Sequence, residues 1–257
     1  MIPLQQNFSK VTQPIKISAV SYLNTKPLLY GIERARFSYP VELSVAYPSL
    51  IAGQLQEGTV DIGLVPVAAI PSIPNARIIS DYGIAGVGKV TSVSIFSDCP
   101  MEDIESVYLD YQSRTSVNLA KVLLKHYWKK TVRFLPAPED YIDRIGGRTA
   151  GVIIGDRALI NKKRFAYDYD LSEHWQKMTG LPFIFAAWVA NKEIPADFCR
   201  EFDEANAVGL EHLPEIIAQN SFPAYDLNQY YKESIHFQLN EKMKKGLALF
   251  LDFLKDS

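Results

Sequence analysis

The stretch IKISAVSYLNTKPLLYGIERA at residues 15–35, continued through VELSVAY (41–47), SLIAGQLQEG (49–58) and VDIGLVP (60–66), decides the fold class. IKISAVS, VELSVAY and VDIGLVP are short apolar runs of strand length, while KPLLYGIERA (26–35) and SLIAGQLQEG carry helical spacing. Gly58 closes the second helix and Pro66 ends the third strand. Strands alternating with helices of this length form βαβ units, so the chain reads as α/β, with a parallel sheet covered by helices.

The alternation continues downstream. A short helix is expected around Val67 to Ile70, then two strands, ARIISDYGIAG (76–86) and VTSVSIFS (90–97), separated by the turn-prone GVGK (86–89). A second set follows, with SVYLD (106–110), TVRFLPA (131–137) and AGVIIGD (150–156) as strands, and TSVNLAKVLLKHYW (115–128) and LSEHWQKMTG (171–180) as helices. LPFIFAAWVA (181–190) is a continuous apolar run that suits a strand buried on both faces. Residues 195–257 read as helical, ending in EKMKKGLALFLDFLK (241–255). This layout suggests two lobes joined by two crossing strands, VTSVSIFS on the way out and LPFIFAAWVA on the way back. The expected division is 15–97 plus 190–257 for the first lobe and 98–189 for the second. No fixed-period repeat or low-complexity tract interrupts it.

With 257 residues, 47% of them hydrophobic and 22% charged, the chain has ample material for a core. A formal charge of −2 offers no field to gather nucleic acid or an anionic membrane, so the expected partner is a small molecule. Cys99 and Cys199 stand far apart, with no CxxC and no nearby His cluster, so neither a metal site nor a redox pair is expected. The first residues, MIPLQQNFSKVTQPIK, lack the apolar core of a secretory signal and read as a short disordered lead. No apolar run reaches the roughly 18 residues of a membrane helix, and a cytoplasmic location is expected.

In open parallel sheets a ligand lies beyond the carboxyl ends of the strands, where helix N-termini present free N–H groups. Four such corners stand out. At SYLNTKP (21–27), Asn24 or Thr25 suits an N-cap and Pro27 the first helical turn, but Ser21, Tyr22, Asn24, Thr25 and Lys26 together exceed what capping needs. At SRTS (113–116), the hydroxyls of Ser113, Thr115 and Ser116 at a helix start, with Arg114 beside them, make a competent carboxylate site. The third corner is GDR (155–157), where Asp156 is the one carboxylate at a strand-to-helix junction beside an arginine; the fourth is KVTSVS (89–94), with Thr91 and Ser92. A ligand gripped between these corners would be small, polar and anionic, and the expected motion is hinge closure.

The missing motifs are equally informative. GxGxxG after a strand, the P-loop GxxxxGK and the GxSxG elbow are all absent, which removes support for dinucleotide, nucleoside-triphosphate and serine-hydrolase chemistry. His126, His174, His212 and His236 all fall far from the four corners, and Asp61, Asp81 and Asp110 are the other carboxylates near them. Trp128, Trp175 and Trp188 are expected in the core.

VSYLNTKPL (20–28) resembles the N-terminal signature of the chorismate dehydratase family, which opens the futalosine route to menaquinone. DIGLVPVA (61–68), SRTSVNLAKVLL (113–124), GDRAL (155–159) and TGLPFIFAAWVA (179–190) extend the likeness, in order, from about Ile15 to Ala190. The resemblance implies a two-lobed type II periplasmic-binding-protein-like fold with its ligand cleft between the lobes. It also implies a carbon–oxygen lyase that removes water from chorismate to give 3-(1-carboxyvinyloxy)benzoate, with no metal and no organic cofactor.

By the same resemblance, Asn24 and Ser92 are the groups expected to hold the enolpyruvyl carboxylate, with Thr91 and Ser94 as alternatives to Ser92 in register. The base is expected to be the substrate's own enolpyruvyl carboxylate, with Asp156 as its rival. The ring carboxylate is expected at the SRTS helix start, where Arg114 either pairs with it or projects to solvent. Two readings compete: a non-catalytic small-carboxylate binding protein of the same fold, and a later lyase of the pathway, which would carry a His-centred site.

Overall fold

The computed structural model describes residues 13–255; the expected disordered lead lies outside the described residues as far as residue 12. The first sheet has six strands in the order β11-β4-β10-β3-β1-β2. Its members are β1 (Ile15–Ala19), β2 (Val41–Val45), β3 (Ile62–Pro66), β4 (Arg77–Gly86), β10 (Phe183–Ala190) and β11 (His236–Gln238). β1 runs parallel to β2 and β3, as the βαβ pattern requires, and the remaining pairings are antiparallel.

The second sheet has five strands in the order β7-β6-β8-β5-β9. They are β5 (Val93–Ser97), β6 (Ser106–Leu109), β7 (Arg133–Pro136), β8 (Thr149–Ile154) and β9 (Tyr167–Asp170). Helices α1 (Lys26–Arg34) and α2 (Pro48–Glu57) connect the parallel strands of the first sheet. Helices α3 (Arg114–Val122), α4 (Gly155–Asn161) and α5 (Leu171–Thr179) belong to the second half. The tail supplies α6 (Ala196–Glu211), α7 (Leu213–Gln219), α8 (Leu227–Gln229) and α9 (Glu241–Lys255).

The strand pairing and the tail add detail to the expected layout. The division 15–97 plus 190–257 against 98–189 set β5 with the first lobe and β10 with the second. β5 instead pairs with β8 and β9, and β10 with β3 and β4. β5 is buried along its whole length and β10 nearly so, so neither shows an exposed face that would name its partners. The tail is not helical throughout, because a π turn (Tyr230–Ser234) and β11 interrupt it. The four-residue YDYD of β9 is a strand that the expected layout did not contain.

The close packing of α1 on α6 depends on two glycines. A Cβ at Gly31 would lie 1.8 Å from the Ala205 carbonyl oxygen, and one at Gly209 1.7 Å from that of Pro27. Trp188 is fully buried and donates to Asn206 Oδ1 at 3.1 Å, a core role as expected. Among the described residues no helix is long and apolar enough to cross a membrane.

Between β4 and β5 the chain crosses through Thr91, whose φ of 64° is left-handed, a costly region for a β-branched residue. Asp170, fully buried at the N-cap of α5, accepts the N–H groups of Val90 at 3.0 Å, Thr91 at 2.7 Å and Glu173 at 3.0 Å. This carboxylate holds the crossing in its strained shape while capping a helix.

Candidate active site

A cavity between the two sheets is lined from both sides. The first sheet and its loops contribute Val20, Tyr22, Asn24, Thr25, Leu64, Ile84, Phe185 and Ala186. The second contributes Ser92, Val93, Gln112, Ser113, Thr115, Ser116, Ile154 and Gly155, and the tail adds Ile235.

At the first corner, Leu23–Thr25 forms a single 3₁₀ turn before α1. Thr25, 1% exposed, closes it: its hydroxyl donates to the Val20 carbonyl at 2.6 Å and accepts the Tyr22 N–H at 3.1 Å. Thr25 is thereby spent on local geometry, and the residue it frames is Asn24. The buried Asn24 Oδ1 has no hydrogen-bond partner among the described residues and lines the cavity. A buried acceptor without a partner is costly, and the Nδ2 end of the same amide is a donor that an incoming anion can take. Ser21 and Lys26, expected as ligand contacts, bond to each other at 3.2 Å and face an outer groove beside Tyr30 and Glu33. The turn splits the corner, with Tyr22, Asn24 and Thr25 on the cavity side and Ser21 and Lys26 on the outer side.

At the crossing, Ser92 lines the cavity and is 1% exposed. Its backbone is fully engaged: its N–H donates to the Val90 carbonyl at 2.8 Å and its carbonyl accepts the Gly155 N–H at 2.7 Å. Thr91 is turned aside, its hydroxyl donating to the Val90 carbonyl at 2.6 Å, and it is absent from the lining. Ser94, the other alternative, is fully buried in β5 and also absent from the lining.

At the start of α3, Ser113 is the N-cap, accepting the Ser116 N–H at 3.1 Å and donating to the Ser116 hydroxyl at 2.9 Å. The Thr115 hydroxyl accepts the Ala68 N–H at 3.1 Å, a bond that joins the two halves of the molecule. Arg114 is exposed and absent from the cavity lining; it lies in an adjoining groove that shares Pro48, Pro66 and Gln112 with the cavity. On a helix, the residue between two inward hydroxyls must project elsewhere.

Asp156 is not among the cavity-lining residues. Burial pushes its carboxyl pKa up, an effect opposed by the Leu23 N–H and the charge of Lys26, so it faces the Leu23–Lys26 turn across the interface. Its neighbour Arg157 pairs with the buried Asp110 at 2.7 Å, and the Tyr141 hydroxyl donates to the same carboxylate at 2.9 Å. The GDR corner therefore braces the end of β6 against α4. Gly155 completes the corner with a φ of 61°, open to glycine without strain.

Two residues that pattern reading missed complete the surroundings. Tyr230 donates to Ser92 Oγ at 2.9 Å, and Tyr231 donates to the Leu23 carbonyl at 2.8 Å. Both sit in the tail segment read as plain helix, and nothing local distinguishes them from core tyrosines.

The polar lining is an amide, hydroxyls, Gln112 and one phenol, Tyr22, whose pKa is raised chiefly by burial. Among the described residues no carboxylate, histidine, lysine or arginine lines the cavity. His126 packs on Phe253, His174 bonds the Asp170 carbonyl, His212 stacks on Tyr30 and His236 lies on β11. No group of three or more His, Cys, Asp or Glu among the described residues could hold a metal ion. Such a surface can bind and orient an anion through neutral donors and a helix N-terminus.

A family model described as menaquinone biosynthesis matches residues 15–256. Curated relatives named chorismate dehydratase include one from Thermus thermophilus, 24% identical over 94% of this chain and 96% of that protein. Another, from Campylobacter jejuni, is 26% identical over 92% of this chain and 96% of that protein. Protein AF1704 of Archaeoglobus fulgidus superposes with a TM-score of 0.72 at 13% identity, covering 96% of this chain and 98% of that one. The CA3427 product of Candida albicans, described as having the generic periplasmic binding protein fold, gives 0.68 at 12% identity over 95% and 91%. The fold is therefore the two-lobed periplasmic-binding-protein-like one, with the cavity in the cleft.

Proposed function

The chain belongs to the menaquinone biosynthesis family, and from that premise we propose that it is a hydro-lyase converting chorismate to 3-(1-carboxyvinyloxy)benzoate and water. Its two relatives named chorismate dehydratase, each aligned over more than nine-tenths of both chains, support the substrate. The observation that carries the chemistry is the lining of uncharged donors with no ionisable base besides the Tyr22 phenol.

In this reading Asn24 and Ser92 receive the enolpyruvyl carboxylate, while the hydroxyls of Thr115 and Ser116 at the start of α3 receive the ring carboxylate, with Ser113 donating to Ser116 to hold it in place. The held enolpyruvyl carboxylate removes the proton from the ring carbon bearing the ether. That C–H electron pair becomes a ring double bond as the C–O bond on the neighbouring carbon breaks. The departing hydroxide takes up the proton, leaving as water and restoring the carboxylate. The gain of aromaticity drives the step, so orientation is the main demand on the protein. The rival base, Asp156, stands outside the lining.

We divide the lobes at the crossings 86–93 and 180–183, which the sheet pairing supports, and expect the cleft to close about them. As an enzyme of biosynthesis it is assigned to the cytoplasm.

The test is incubation of the purified chain with chorismate in chelator-containing buffer, followed by mass spectrometry and ultraviolet absorbance. Loss of one water with a new benzoate chromophore is expected; unchanged chorismate with folded protein would refute the reading. Asp156→Asn separates the bases: near-normal turnover is expected, and a loss of several orders of magnitude with intact folding would make Asp156 the base.

A further inference from the structure

The π turn Tyr230–Ser234 lies in the tail, far in sequence from every corner of the cavity, yet its first two residues end on two of them. Tyr230 and Tyr231 are 1% and 2% exposed, with ring centroids 5.6 Å apart. Consecutive residues of a helical turn diverge by roughly a quarter of a revolution, so side-by-side tyrosines reach separate targets. One reaches Ser92 Oγ, the other the carbonyl of Leu23, the residue before Asn24. π turns are uncommon and gather at functional sites.

We propose that this turn is the positioning device for the substrate-binding pair: Tyr230 fixes the Ser92 hydroxyl as a donor toward the cleft, and Tyr231 fixes the turn that presents Asn24. The inference rests on the chorismate reading of the cavity. A serine hydroxyl has one proton and two lone pairs. Tyr230 occupies one lone pair from the protein side, and the Ser92 backbone N–H and carbonyl are already engaged. The hydroxyl proton is then left to point at the anion in the cleft, where a freely rotating serine would spend part of its time as an acceptor. Burial raises the pKa of both phenols, so each remains a donor across the working pH range. Both are positioning residues, acting through Ser92 and Asn24 without touching substrate.

The experiment is a set of double-mutant cycles on kcat/KM with chorismate. Tyr230→Phe removes one oxygen and is expected to lower kcat/KM about tenfold in a folded protein. In the Ser92→Ala background it should cause no further loss. Tyr231→Phe should likewise lose its effect with Asn24→Ala and keep it with Ser92→Ala. A structural role would instead multiply the losses in every background, and that result, or a Tyr230→Phe enzyme of normal activity, overturns the proposal. Should Tyr230→Phe fail to fold, 3-fluorotyrosine at position 230 strengthens the same donor: kcat/KM should shift with Ser92 present and not with Ser92→Ala, and any other pattern overturns it. A wild-type chain that leaves chorismate unchanged refutes the functional reading and this inference together, whereas an active wild type with an unimpaired variant refutes this inference alone.

Discussion

Asp170 accepts the backbone N–H of Thr91 at 2.7 Å, so a buried carboxylate on one side of the second sheet holds a left-handed residue at the crossing next to Ser92. Its three N–H partners leave neither oxygen free for replacement by an amide nitrogen.

Asp170→Asn should therefore destabilise the fold by about 2–3 kcal/mol, because the amide end turned toward Thr91 or Glu173 becomes a donor facing a donor. Chemical denaturation measures it; a loss under about 0.5 kcal/mol would show that the crossing holds its shape without the carboxylate.

Burial pushes the Asp170 pKa up to about 6 despite those N–H groups. The folded state thus binds this proton more tightly than the unfolded chain, and the group's contribution to stability falls as pH rises from about 4 to about 6. The size is on the order of 3 kcal/mol. Thermal melts across that range should show the wild type losing stability relative to Asp170→Asn as pH rises; parallel curves would contradict the assignment.

The Thr115 hydroxyl accepting the Ala68 N–H ties the start of α3 to the first lobe. Thr115→Val keeps the shape but removes both the acceptor for Ala68 and the donor assigned to the ring carboxylate, so it should raise KM for chorismate several-fold with a smaller effect on kcat. Steady-state kinetics decide; an unchanged KM would mean that the lobes close without this bond.

Arg114 projects into a groove beside the cavity and does not line the cavity itself. Arg114→Ala should leave kcat/KM within about twofold, whereas Asn24→Ala should lower it at least a hundredfold. Comparable losses in the two variants would return Arg114 to the substrate.

Gly209 meets the Pro27 carbonyl across the α1–α6 contact at a distance that no Cβ tolerates. Gly209→Ala must push the helices apart and should cost about 2–4 kcal/mol in denaturation. A neutral effect would mean that α6 shifts freely over α1.

Short-range chemistry was legible in the sequence by itself. The βαβ alternation of residues 15–66 and the α3 cap at Ser113 depend on residues within a few positions of one another. Tertiary structure alone decided which sheet takes VSIFS and FIFAAWVA, since strands buried on both faces carry no mark of their partners. It also decided which polar residues at a corner face the cleft: Ser113 and Asn24 turn in while Ser21, Lys26, Arg114 and Asp156 turn elsewhere. The reach of Tyr230 to Ser92, across 138 residues, is of the same kind. A side chain's direction at a turn, and the partner it finds across the core, are settled by packing between segments that no local pattern connects.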